Sequence, residues 1–434
     1  MNSFRFKLQM RTCITVVSCL VAFGCSSVCL ADSTETASAT AEPTKSVPAK
    51  AIGEKPSRAQ LQQFRTDIQK LIPPAKPGKD HCYTANFPST HLTETTCVAA
   101  PKSPNPRRKS STSPHPEIVG NGVDGFAVVS QGSSIVRSTG WFDEVDVKSE
   151  SGPRPGTNNK YYPDTYMLQI NSNDFASPAC KGIQGCFGWE QFFYSTSACS
   201  STKACIYIEY WLFNYPKPCP NGYHYYPGDP GDAGCFFNTS ATLLPRQTWA
   251  ELRDISIQGA AGTSDDDVTV TTSSGQVATV HHASSLTLNG NWRGIEFNLV
   301  GDCCGTEAVF SDGRSTLQLR IDAETGSQAA LSCQSSFSGA TGETNNLDIT
   351  VPCFATASGV GFTEAGGTPA PPPPAQLPCA QLKTNIAELE AKIEKEQANP
   401  PACPSGIVAI CTQQLRGDEA GLAQMKADYS KRCH

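Results

Sequence analysis

Through the middle of this chain, apolar and polar residues alternate in short stretches separated by Gly, Asn, Asp and Pro. Alternate side chains of a strand point the same way, so this pattern predicts strands with one buried face. The clearest are Tyr166–Ile170, Trp189–Tyr194, Cys205–Phe213, Asp267–Thr272, Gly294–Val300 and Ser315–Ile321. Many short strands with turn residues between them predict an antiparallel β-sandwich of the jelly-roll, concanavalin-like kind over residues 117–367.

The spacing becomes helical in two places. Leu61, Phe64, Ile68 and Leu71 follow Ser57 and stop at Pro73-Pro74, which predicts one short amphipathic helix. Leu382, Ile386, Leu389 and Ile393 form one stripe, and Leu415, Leu422, Met425 and Tyr429 a second, with Pro400, Pro401 and Pro404 between them. That pattern predicts a C-terminal α-helical hairpin, or coiled-coil spacer, over 379–434 behind a Pro-rich linker at 368–378. Cys379 would meet Cys433 at its open end, and Cys403 would meet Cys411 near its turn. Residues 32–116 form a leader: an aperiodic Ala/Thr/Ser/Glu/Pro run, the short helix, a loop between Cys82 and Cys97, and a basic Pro/Ser-rich segment. In a catalytic reading this leader is a removable propeptide.

The N-terminus changes the compartment. Arg5, Lys7 and Arg11 precede an apolar run from Cys13 to Cys25, and Val28-Cys29-Leu30-Ala31 ends in a small residue, the pattern of an export signal cut after Ala31. A second reading takes Ala22-Phe23-Gly24-Cys25 as a lipoprotein site, with the chain anchored at Cys25. No later segment offers the roughly 20 uninterrupted apolar residues of a membrane span. The expected location is therefore extracellular or periplasmic.

The chain has 20 cysteines. Cys13, Cys19, Cys25 and Cys29 lie in the signal, and the even remainder predicts disulfides in an oxidising compartment. Near neighbours are Cys82 with Cys97, Cys180 with Cys186, Cys199 with Cys205, Cys219 with Cys235, and Cys333 with Cys353. A net charge of −6 and 17% charged residues give no basic stripe, which argues against nucleic acid as a partner. An extracellular protein or polysaccharide remains.

The candidate chemistry lies on strand faces. Gln191 falls between Trp189 and Phe193; Glu209 shares a face with Tyr207, Trp211 and Phe213, opposite Ile206, Ile208 and Leu212; Glu296 is expected to share a face with Trp292 and Asn298, opposite Ile295, Phe297 and Leu299. The aliphatic faces can form the core, and an aromatic face with a few polar groups predicts a binding cleft. The other reading is that these polar groups hydrogen-bond within the sheet while loops cover the rings. No metal or cofactor is expected. His281 and His282 are adjacent on a strand and point to opposite faces, Cys303-Cys304 suits two disulfides to different partners, with Cys333 and Cys353 as candidates, and Asp265-Asp266-Asp267 lacks the spaced ligands of a calcium loop. Asn238-Thr239-Ser240 is a glycosylation sequon.

The segments "HCYTANFPST", "GWEQFFYS", "YWLFNYPKPCP" and "GETNNLDITVPC" resemble those of a set of secreted proteins that carry no assigned activity, over roughly residues 80 to 366. More distantly, the order of "YMLQINSN", "GWEQFFYS", "CIYIEYWLFNYP" and "WRGIEFNLVG" is similar to the strand order of the eqolisins, glutamic peptidases active in acid. That resemblance implies Gln191 as the catalytic glutamine, Glu296 as the catalytic glutamate and Glu209 as the acid of the aromatic strand. Trp189, Phe193, Tyr207, Trp211 and Trp292 would then contact substrate. The eqolisin Asp-Gly turn has no counterpart in "LQINSNDF", where Gln169 and Asn171 stand. The function expected is an acid-active glutamic-peptidase-like protein; the alternative is a lectin-like module that binds polysaccharide or a cell-surface ligand through the aromatic face.

Overall fold

The structure, a computed structural model, describes residues 56–366 except 75–78, 100, 106–125, 130–132, 156–159, 229–232, 303–304, 312, 328, 335–341 and 357, together with scattered positions between 383 and 433. The export signal, Cys25 and Ala31 lie outside the described residues. No described helix is long and apolar enough to cross a membrane.

Two nine-stranded sheets dominate. The first runs, in spatial order, Ser89–Thr95, His81–Asn86, Gln276–Ala283, Asp265–Thr271, Ser256–Ala261, Ile135–Asp146, Ser315–Thr325, Gly359–Gly366 and Leu347–Ala355. The second runs His224–Tyr226, Gly234–Asn238, Ala204–Phe213, Phe187–Ser195, Tyr166–Ser172, Gly294–Gly301, Phe126–Val129 and Leu331–Gln334, with Thr242–Leu244 also on Ala204–Phe213. Their strand pairs are antiparallel. A four-stranded sheet contains one parallel pair, Glu307–Phe310 with Thr344–Asn345. The two-residue periodicity thus builds a mainly β, sandwich-like fold.

The loop between Cys82 and Cys97 is the edge hairpin of the first sheet, because His81–Asn86 pairs along Gln276–Ala283. The helix lies over the same edge as Arg58–Gln69. It starts at Ser57, which forms a capping box with Gln60 and so supplies partners for two otherwise unpaired N–H groups. Phe64 and Ile68 pack with Ala85 and Val277. Arg58 stacks 4.2 Å above the Trp141 ring and pairs with Asp143. The leader read as lying outside the sandwich therefore contributes two strands and a helix to it.

Five disulfides join the near neighbours: Cys82–Cys97, Cys180–Cys186, Cys199–Cys205, Cys219–Cys235 and Cys333–Cys353. Cys433 is also disulfide-bonded. Cys303, Cys304, Cys379, Cys403 and Cys411 lie outside the described residues.

The C-terminal disulfide-linked helical hairpin is a correction. The helical elements named among the described residues are Arg58–Gln69 and the 3-10 segments Pro178–Cys180 and Trp249–Asp254. Scattered positions between 383 and 430 are helical, and most of 379–434 lies outside the described residues. The fold class is mainly β with antiparallel sheets, and the hairpin is not supported. Short helices are marginal on their own in water, and an apolar stripe of four residues is a weak predictor of one. Helical spacing alone was too weak a signal there.

Between the sheets, Ile206, Ile208, Tyr210, Leu212, Phe192, Ile295, Phe297 and Leu299 are fully buried with Ile257, Val268, Val270 and Leu319. Two glycines of the first sheet let rings of the second lie against bare backbone. A Cβ at Gly140 would sit 2.2 Å from the Phe297 ring, and one at Gly259 would sit 2.5 Å from the Phe192 ring. Overpacking of this kind typically costs about 1–3 kcal/mol. Gly140→Ala should therefore lower the urea midpoint, and adding Phe297→Leu should restore part of the loss; equal midpoints for wild type and Gly140→Ala would contradict this packing.

Candidate active site

Four neighbouring strands of the second sheet carry the candidate residues. Their registers pair Glu296 with Asn171, Asn171 with Gln191, Gln191 with Glu209, and Glu209 with Asn238 of the next strand. Residues opposite one another in a sheet share a face, so five polar side chains form one row across five strands. Glu296, Asn171, Gln191 and Glu209 are each no more than 2% exposed. Aromatic residues flank the row: Trp189, Trp211 and Phe236 on one side, Phe193 and Tyr207 on the other.

Hydrogen bonds give the row a direction. Gln191 Nε2 donates to Asn171 Oδ1 at 3.1 Å, and Asn171 Nδ2 donates to Glu296 Oε2. At the other end Glu209 Oε1 accepts from Trp211 Nε1 at 2.8 Å and from the Asn105 backbone N–H at 2.9 Å. Gln191 Oε1, on the residue paired with Glu209, is a buried acceptor without a hydrogen-bond partner. Gln191 and Glu296 do not touch directly; Asn171 stands between them.

A clamp at one end of these strands sets their alignment. Asp302, one residue beyond the Glu296 strand, is fully buried and accepts from the hydroxyls of Ser195, Thr196 and Ser197 at the end of the Gln191 strand. Thr196 also exchanges backbone and side-chain hydrogen bonds with Tyr166, the first residue of the Asn171 strand. The Cys199–Cys205 bond closes the connection from the Gln191 strand to the Glu209 strand. Burial holds the Asp302 carboxyl above its ordinary range, and the three hydroxyls offset part of that rise.

The chain covers its own row. Val98 makes a two-way backbone bridge with Ala241, Asn238 Nδ2 donates to Pro101 O at 3.0 Å, and Asn105 is buried with Nδ2 donating to Tyr207 Oη at 3.1 Å. The strap from Val98 to Asn105 thus lies over the Glu209 end.

Burial dominates the electrostatics. It pushes the Glu209 carboxyl up to about 8, against the pull of the Trp211 and Asn105 donors. On the opposite face of the same sheet, Glu190 projects into the core, and desolvation raises it well above a normal glutamate, with nearby Asp266 adding to the rise. Asp266, likewise raised by burial, accepts from Tyr210 Oη at 3.2 Å.

Several sequence expectations meet in one place and others do not. Gln191, Glu209, Glu296, Trp189, Phe193, Tyr207 and Trp211 lie on one face. Trp292 does not: it precedes the strand, which begins at Gly294, and stacks on Phe192 in the core with 5.6 Å between ring centroids. Strand alternation fails there because the residue is not in the strand. Trp189 and Trp211 are fully buried, and Trp211 stacks on Phe213 at 4.8 Å. Asn171, Asn238 and Asn105 join the site without a role having been read for them from the sequence, where Asn171 stood only for the missing Asp-Gly turn and Asn238 only for a sequon. The Asn171 signal was present in its spacing, since it sits two residues after Gln169 on the neighbouring strand.

His281 Nδ1 bonds Asp267, and His282 Nδ1 bonds Asp80 with Nε2 3.1 Å from Ser285 Oγ. Among the described residues, no cluster of three or more His, Cys, Asp or Glu is arranged to hold a metal. The chain matches no family model and no curated protein sequence.

Two predictions follow from burial. Asp302→Ala takes the acceptor from the buried Ser195 and Ser197 hydroxyls, while Thr196 keeps Tyr166 O, and should cost roughly 3 kcal/mol in denaturant unfolding; a change under about 0.5 kcal/mol would remove the clamp from the account. Glu209 keeps its proton in the folded chain to about pH 8, whereas an unfolded glutamate loses it near about pH 4.3. The stability contributed by the neutral acid is thus complete below about pH 4.3 and is lost as pH rises towards 8, by up to about 1.4 kcal/mol per pH unit. Glu209→Gln should flatten the fall in melting temperature between pH 5 and 8, and an unchanged slope would refute this.

Proposed function

We propose that the protein is an exported, acid-active hydrolase of the glutamic-peptidase kind, with Glu296 as base and Gln191 as oxyanion donor. The observation that carries this reading is the polarised row, in which the Gln191 amide donates to Asn171 and Asn171 donates to the Glu296 carboxylate. A carboxylate held by an amide donor can take a proton from water as that water attacks a peptide carbonyl, then return it to the leaving amine. The Gln191 N–H, reoriented from Asn171, can bond the tetrahedral oxyanion. Asn171 enters the site as the residue that positions both. Glu209, neutral below about pH 8, stands opposite Gln191 on the neighbouring strand. The disulfides suit an oxidising compartment.

Two arrangements argue against a sugar as substrate or ligand. Glu209 and Glu296 are three strand steps apart, roughly 14 Å between backbones, whereas paired glycosidase carboxylates lie about 5–9.5 Å apart. The aromatic residues beside the row are packed on one another, so their faces offer no open stacking platform.

The test is cleavage of denatured casein from pH 2 to 7 by the wild-type chain and by Asn105→Ala, whose strap lacks its buried side chain. Activity should be confined to acid, and Glu296→Gln and Gln191→Ala, checked for folding, should each reduce kcat by at least about 10²-fold. Absence of cleavage at every pH in both chains would sink the proposal.

A further inference from the structure

The Glu209 end of the row is occupied by the chain itself, in the manner of a bound peptide. Glu209 Oε1 accepts the Asn105 main-chain N–H at 2.9 Å, and Asn238 Nδ2 donates to the main-chain carbonyls of Pro101 at 3.0 Å and Ser103 at 3.5 Å. Side chains from two neighbouring strands therefore read backbone groups, a recognition that is indifferent to most residues of an extended segment. One position is different. Asn105 is 1% exposed, its Nδ2 donates to Tyr207 Oη at 3.1 Å, and its Oδ1 is buried without a hydrogen-bond partner.

This occupant fits incompletely. Asn105 Oδ1 and Gln191 Oε1 are two buried carboxamide acceptors without partners, and each such group costs about 1–3 kcal/mol. A plug whose role was only structural would gain by filling the pocket with an apolar side chain. Tyr207 Oη and the Glu209 carboxyl instead surround the strap's end with groups suited to a carboxamide and a main-chain N–H. The bridge between Val98 and Ala241, and the Cys82–Cys97 bond just before it, hold the segment beside the site and raise its local concentration.

We infer that the Glu209 end of the row is a peptide subsite selective for an asparagine side chain, filled in cis by Asn105. The inference rests on the row's being a peptide site, and it does not require that the peptide be cut. Its test is therefore a binding measurement in a Glu296→Gln background, where failure of hydrolysis leaves binding readable. Fluorescent peptides Val-Ala-Ala-Pro-Lys-Ser-Pro-Asn and the same peptide ending in Ala would be titrated at pH 5 against the full mature chain, with and without Asn105→Ala. The Asn105→Ala chain should bind the Asn peptide at least tenfold more tightly than the Ala peptide, and at least tenfold more tightly than the chain that retains Asn105. Equal binding of the two peptides, or no binding of either, would overturn the subsite. If Asn105→Ala does not fold, Asn105→Asp takes its place in the same comparison, and failure of both to fold would make Asn105 a structural plug and reject the inference.

Discussion

The site depends on register. Glu296, Asn171, Gln191 and Glu209 come from four strands that are distant in sequence, and they meet only because each pairs residue for residue with the next. A slip of one residue would turn Gln191 and Glu209 into the core and bring Glu190 and Ile208 to the outer face. The apolar core opposes such a slip from one side of the sheet. Asp302 and the Cys199–Cys205 bond oppose it from the strand ends, fixing where the pairing starts.

Burial of acids runs through the molecule. Glu150, Glu190, Glu209, Asp266 and Asp302 are fully desolvated, and burial raises the carboxyl of each. Each is easiest to bury as the neutral acid, so these five groups stabilise the fold more at low pH. The proposed chemistry leans the same way, with one carboxyl kept neutral at one end of the row and another held by an amide donor at the opposite end. Stability and the proposed activity would thus share one dependence on protons, set by desolvation in both cases.

Much of this was legible in the sequence. Alternation located the strands and separated the aliphatic face of Ile206, Ile208 and Leu212 from the face of Tyr207, Glu209 and Trp211, because a half-buried sheet imposes that pattern directly. Ser57 and the Pro73-Pro74 pair marked the helix, and close spacing marked the five disulfides. What alternation cannot give is which strands are neighbours. Asn171 could not be placed between Gln191 and Glu296 without the sheet order, nor could Asn238 be seen as the end of a row when its sequence suggested only a sequon. Trp292 misled because the strand begins two residues later. The helical stripes near the C-terminus are a weaker signal, because four apolar residues at helical spacing do not by themselves specify a stable hairpin.

The small loop closed by Cys199 and Cys205 carries a further consequence. It is six residues in sequence and joins the strand of Gln191 to that of Glu209. In such a position a cystine acts as a length standard, fixing how much chain is spent on the turn and therefore which amide faces which acid. Reduction of that bond would leave the two strands hydrogen-bonded, the core buried and the Asp302 clamp in place, with the turn no longer held to one length. The loss would register first in the turn, before it reached the row that the core and Asp302 still hold in line.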